Sequence, residues 1–170
     1  MRVVPVDVNR VGEICSVERS CLVEEQTDLD TGFLTHAHDE EYFRHWAKKT
    51  TYFGAVEHAG EYVGFTLAVR TEDLEADQQE WTRLFAGSEL PDHYIRLIAV
   101  RPEYRRKQVG YLLYEDMFRH LSGSMASMII RTPYNEASVR FHERTGFVVT
   151  HVVEKPTNDW NSFCIYLRDG

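Results

Sequence analysis

Four basic residues, Arg101, Arg105, Arg106 and Lys107, lie within seven positions, between an apolar run and an amphipathic one. Residues 94–100 carry almost no polar side chain except Arg96, which predicts a buried, central strand. Pro102 has no N–H to offer a ladder and ends it. Beyond the basic run, Val109, Leu112, Leu113, Met117 and Leu121 recur at helical spacing, predicting a helix over residues 108–121. A strand that turns directly into a helix aims free backbone N–H groups and the positive end of a helix dipole at an anion. The guanidinium and ammonium groups add full charge, and Gly110 keeps the first helical turn clear of a side chain. The chemistry this suits is pyrophosphate binding; on charge alone the segment would be only an exposed basic turn.

A second group lies downstream. At about 100° per residue, Asn135, Ser138 and His142 share one helical face while Ala137 and Phe141 share another. Asn135 suits an N-cap and Gly146 a C-terminal stop, which predicts a helix over residues 136–145.

The remaining elements must hold these two segments together. An edge strand is expected at residues 2–5, since Pro5 is out of place in a central one. Helices follow at about 7–20 and at 38–48, where Tyr42, Phe43 and Trp46 share a face, with an irregular link over 21–37. Residues 51–57 and 61–69 form a hairpin about His58-Ala59-Gly60. Strands are expected at 125–131, 147–154 and 162–168. Residues 71–92 carry seven acids against Arg83 alone, with Trp81 among few large apolar residues. They read as an insertion in a single domain spanning 1–170, with a short helix near 78–85. Either a solvated loop or a substrate-facing lid fits that composition. The element order gives an α/β fold with a mixed sheet.

Composition narrows the partners. The formal net charge of −8 disfavours a nucleic-acid backbone or an anionic membrane as partner, and the one basic cluster is too short for a duplex. The three cysteines form no CxxC pair and no metal spacing with the histidines, which suits reduced thiols, a cytoplasmic setting and no metal. No signal peptide or membrane span is expected.

The run Val100-x-Pro102-x-Tyr104-Arg105-x-x-Gln108-x-Gly110 resembles the CoA-binding motif of the GNAT superfamily of N-acyltransferases, Gln108 standing where the pattern has its first glycine. The run Asn135-x-x-Ser138-x-x-Phe141-His142-Glu143-Arg144-x-Gly146-Phe147 resembles that family's second CoA-side motif. The resemblance covers residues 94–150 well and the N-terminal half in element order only. It implies a mixed, mostly antiparallel sheet of six to seven strands flanked by helices, with a splayed central strand pair. It also implies acetyl-CoA as co-substrate, held by the strand end Ile98, Ala99 and Val100, by the turn Arg105, Arg106, Lys107, Gln108, Val109 and Gly110, and by Asn135, Ser138 and His142.

The activity so implied is direct attack of a primary amine, on a small molecule or peptide, on the acetyl thioester. His142 takes the place of the family's tyrosine and is the expected proton donor to the leaving thiolate. The base is unassigned: Tyr94 and Arg96 occupy the positions where relatives place one, and Asp92, His93, Glu80 and Glu25 are alternatives. Arg96 and Trp81 are candidate acceptor contacts. Arg96 favours an acceptor with a carboxylate, whereas the acidic insertion favours a cationic one. A non-catalytic acyl-CoA-binding module is the alternative function, and free sheet edges leave room for a homodimer.

Overall fold

Among the described residues, seven strands form one mixed sheet in the order β1-β2-β3-β4-β5-β7-β6. The computed structural model describes residues 1–25, 32–74, 89–131, 134–154 and 162–169, with the backbone alone at 153–154 and 162–167. The strands are β1 (Arg2–Pro5), β2 (Tyr52–His58), β3 (Glu61–Arg70), β4 (His93–Val100), β5 (Met125–Ile130), β6 (Val148–Glu154) and β7 (Ser162–Arg168). Every pairing is antiparallel except β4 with β5, which are parallel.

Helices α1 (Val11–Arg19) and α2 (Glu40–Lys49) cover one face of this sheet. Val11 and Ile14 of α1 and Phe43 of α2 pack with Ala55, Phe65 and Ala99, and Trp46 packs with Leu67, Val69 and Tyr94. Each Val, Leu, Ile or Phe side chain among them stabilises the fold by about 1.5–3 kcal/mol on leaving water. α2 starts two residues later than its apolar spacing suggests. Asp39 provides the N-cap, its carboxylate accepting from Tyr42 N–H at 2.8 Å, with Glu40 and Glu41 in the first turn and Lys48 and Lys49 in the last.

Helices α3 (Val109–His120) and α4 (Glu136–Arg144) cover the other face. Tyr114 and Met117 of α3 pack with Val139 of α4 and with Ile95, Met125, Ile129 and Phe147. Gly64 lets the start of α3 rest on the sheet, since a Cβ there would lie 2.9 Å from Val109 Cγ1 and 3.0 Å from Ala99 O.

Of the acidic stretch 71–92, only its ends are among the described residues: Thr71–Asp73 form a short 3-10 turn and His93 already opens β4. The expected helix near 78–85, and with it the choice between solvated loop and lid, lies outside them. No helix among the described residues is long and apolar enough to cross a membrane.

Candidate active site

The site begins as a gap in the sheet. β4 and β5 pair only through His93–Met125, Tyr94–Ala126 and Ile95–Ser127. The start of this pairing is clamped: Asp92 accepts from Ser124 N–H at 2.7 Å and from its hydroxyl at 3.0 Å. One residue past the last pair, the β3–β4 register slips and skips Arg96, a bulge that turns the strand and re-aims this side chain. The strands then part around a cavity of about 610 Å³. Ile98, Ala99 and Val100 line its β4 wall, and Ser127 to Ile130 its β5 wall.

The basic turn closes one end. Arg106 and Gln108 both adopt left-handed backbone, φ 59 and 63. Gln108 is the N-cap of α3, makes no side-chain capping bond, and is followed by no acid in the first turn. Alternation of this kind gathers successive N–H groups into an anion-binding nest at the positive end of α3. A left-handed residue without a glycine costs about 1 kcal/mol, which explains the glycine expected at this place and shows that Gln108 forms the turn without one.

The other residues of the turn divide their work. Arg101 serves the fold, donating to Tyr62 O at 3.1 Å and to Ser16 Oγ at 3.1 Å. Arg105 donates through Nε to Val100 O at 3.2 Å, tying the turn to the strand end, and lines the cavity with Arg106. Lys107 lies off the lining, its ammonium 5.2 Å from the Tyr104 ring. Gly110 does line the cavity, but a Cβ there would meet the Phe141 ring at 3.1 Å. Its small size serves the close approach of α3 and α4 before it serves a ligand.

The face of α4 that carries Asn135, Ser138 and His142 borders the same cavity. His142 is 1% exposed and engaged at both nitrogens. Nδ1 lies 2.8 Å from Ser138 O, which can only accept, so the proton sits on Nδ1. Nε2, 2.8 Å from Tyr114 Oη, then accepts from that hydroxyl. Burial pushes the imidazole down to about 4, against a smaller opposite pull from Ser138 O. A neutral ring with its proton committed to the backbone is poorly placed to protonate a thiolate directly, so the expected role meets an obstacle in the geometry. Tyr114 is buried too: burial pushes its phenol up, against a smaller opposite pull from the side chain of Ser127, which stands where β4 and β5 part. Neither Tyr114 nor Ser127 was expected from sequence. Tyr114 falls in the apolar stripe of α3, whereas Ser127 was detectable as the polar residue in the apolar run Met125-Ala126-Ser127-Met128-Ile129-Ile130.

On the α1–α2 side, Arg96 lines the cavity with its guanidinium 4.0 Å above Trp46. Its Nε and Nη2 donate to Tyr42 Oη at 3.1 and 2.8 Å. Tyr42 stacks on His38 at 3.8 Å, and His38 engages the fully buried Glu18 through its backbone N–H and Nδ1 at 2.7 and 2.6 Å. The expected base candidates are not gathered here. Asp92 is spent on Ser124, and His93 Nε2 donates to Ser122 O at 3.1 Å, since a carbonyl oxygen can only accept. Neither these nor Glu25 and Tyr94 belong to the lining. Glu80 and Trp81 lie outside the described residues. Among the described residues the lining contains five arginines (96, 105, 106, 140 and 144) and no carboxylate. No cluster of three or more metal-ligating side chains occurs among the described residues.

Residues 20–147 match the model of the acetyltransferase (GNAT) family. No curated protein is similar enough in sequence to count as a match. Among solved structures, the ribosomal-protein-S18-alanine N-acetyltransferase of Escherichia coli superposes with a TM-score of 0.68 at 14% identity, over 98% of this chain and 92% of that one. YncA of Salmonella typhimurium, a putative acetyltransferase solved with acetyl-CoA, gives 0.71 at 14% identity over 99% and 93%. A GNAT-like decarboxylase, GphF, solved with isobutyryl-CoA, gives 0.70 at 13% identity over 99% of both chains. At such identities these likenesses speak for the fold alone.

Proposed function

The chain belongs to the acetyltransferase (GNAT) family, and from that premise we propose that it moves an acetyl group from acetyl-CoA to a primary amine of a small molecule or peptide. The observation that carries this reading is the cavity between the parted strands β4 and β5. One end is an uncapped helix start with left-handed turn residues and arginines, a fit for phosphates, and no described lining residue is an acid that would repel them.

Bound acetyl-CoA supplies the activated acyl group. Arg105, Arg106 and the first N–H groups of α3 hold the phosphates, and the β4 wall from Val100 back toward Arg96 aligns the arm that follows. The amine nitrogen forms a bond to the acyl carbon, the carbon–sulfur bond breaks, the thiolate leaves, and the nitrogen releases a proton. Orientation of the two partners supplies most of the rate, because the reaction needs no covalent enzyme intermediate.

Proton traffic is the distinctive part. His142 holds the Tyr114 hydroxyl, and Ser127 stands at the parting of the strands. The arginine-rich wall disfavours a positive charge beside it, so the acceptor binds and reacts as the free amine. The same wall favours an acceptor that carries a carboxylate near its amine, with Arg96 as the contact. The absence of a carboxylate from the described lining also supports a second reading, an acyl-CoA-binding module without turnover.

Calorimetric titration with acetyl-CoA, followed by thiol release across a panel of amines, separates these readings. The expected result is one binding event and release of thiol with at least one amine. Binding without turnover on any amine selects the module, and no binding of acetyl-CoA sinks both.

A further inference from the structure

Gly32, Phe33 and Leu34 line the cavity from the α1 side, outside the two runs 94–118 and 135–147 that carry the CoA-like motifs. They form a strap that crosses the opening between β4 and α4. One end is laid along the end of α1: Leu34 N–H donates to Cys21 O and Val23 N–H donates to Leu34 O, both at 2.8 Å. Cys21 is itself tied to the end of β4, its thiol donating to Val100 O at 3.2 Å. The other end reaches α4, where Asn135 Nδ2 donates to Phe33 O at 3.0 Å across 102 residues of sequence. A Cβ on Gly32 would sit 3.5 Å from Ala137 Cβ, so the strap lies against the first turn of this helix.

Asn135 is 4% exposed and its carboxamide serves both partners, because Oδ1 also accepts from Ser138 N–H at 3.3 Å. The contact matters because the sheet does nothing at this level. β4 and β5 are unpaired beyond Ile95 and Ser127, so their ladder does not set the separation of the two walls. The strap, latched to α4 by Asn135 and tied through Cys21 to Val100, bridges the two walls there.

We infer that Asn135 is a positioning residue for the acceptor: by latching the strap it sets the acceptor-side wall of the cavity, and so the affinity for the amine. This inference rests on reading the cavity as the acyl-transfer site. A cofactor contact would use the same residue differently, and the two roles separate in Asn135→Asp. Aspartate still caps α4 by accepting from Ser138 N–H, but it has no N–H for Phe33 and sets an oxygen against that carbonyl. Asn135→Ser makes the same separation with a neutral cap, should the aspartate weaken the fold.

The test is hydrogen exchange on both variants, with acetyl-CoA titrated by calorimetry and steady-state kinetics on whichever amine the wild type acetylates. Exchange at the amides of Val23 and Leu34 should rise about tenfold or more while the α4 amides keep their protection. Acetyl-CoA affinity should stay within about twofold, and the amine KM should rise about tenfold with kcat little changed. Unchanged protection of Val23 and Leu34 overturns the latch. Weaker acetyl-CoA binding with protection intact also overturns it, assigning Asn135 to the cofactor. A wild type that binds no acetyl-CoA sinks the site reading, and the exchange data still judge the latch separately.

Discussion

At the scale of single residues, His142 shows how environment overrides identity. An imidazole titrates near 6.5 in the unfolded chain, and burial brings it to about 4 in the fold. As the pH falls through that window the unfolded chain binds a proton and the native chain does not, so stability falls with it. The contribution is full above about pH 6.5, and up to about 3 kcal/mol is lost by pH 4. Urea unfolding measured at intervals across that window should show the decline, and His142→Gln should flatten it. An equal slope in the variant would place the pH dependence elsewhere. Gln108 makes the complementary point: a residue type that disfavours left-handed backbone holds it at φ 63, because the chain on both sides is committed, to the β4 ladder and to α3.

At the scale of elements, the site depends on where two strands stop pairing. The bulge at Arg96 marks the upper limit of the β4–β5 pairing, and Asp92 with Ser124 marks the lower. Gly123, at φ +95, is part of the clamp, because a Cβ there would lie 2.3 Å from Asp92 Oδ2. Gly123→Ala must both adopt a left-handed backbone and displace the carboxylate. The expected loss is about 2–4 kcal/mol in denaturant unfolding, with weaker acetyl-CoA binding as the strands shift. A loss under about 1 kcal/mol would show that the clamp moves freely and does not set the splay.

At the scale of the molecule, charge is divided unevenly. The chain carries a net −8, yet the described lining of the cavity holds five arginines and no acid. An overall negative protein with a cationic cleft concentrates anions at that cleft. On the proposed reaction, the same field lowers the pKa of an ammonium acceptor in the cleft, and the reactive free base grows with pH. For the amine acceptor, log kcat/KM should therefore rise with a slope of about one from about pH 6 toward the amine's own pKa. A plateau reached near neutrality and abolished by replacing one carboxylate would reveal a side-chain base and refute the free-amine mechanism.

Much of this was legible in the sequence because it is local. The periodicity of residues 109–121, the cap at Asn135 and the basic turn before α3 each depend on neighbours in the chain, and both CoA-side motifs could be read from residue types at fixed offsets. The family followed from them, and residues 20–147 match it. What escaped is made of long-range pairs. The role of His142 depends on Tyr114 lying 2.8 Å away on another helix, the work of Gly110 depends on Phe141, and Asn135 grips a carbonyl 102 residues distant. Sequence records which groups can donate, accept or ionise. Only packing decides which partner each meets, and the loss of water that goes with it determines whether the group reacts, titrates or simply holds.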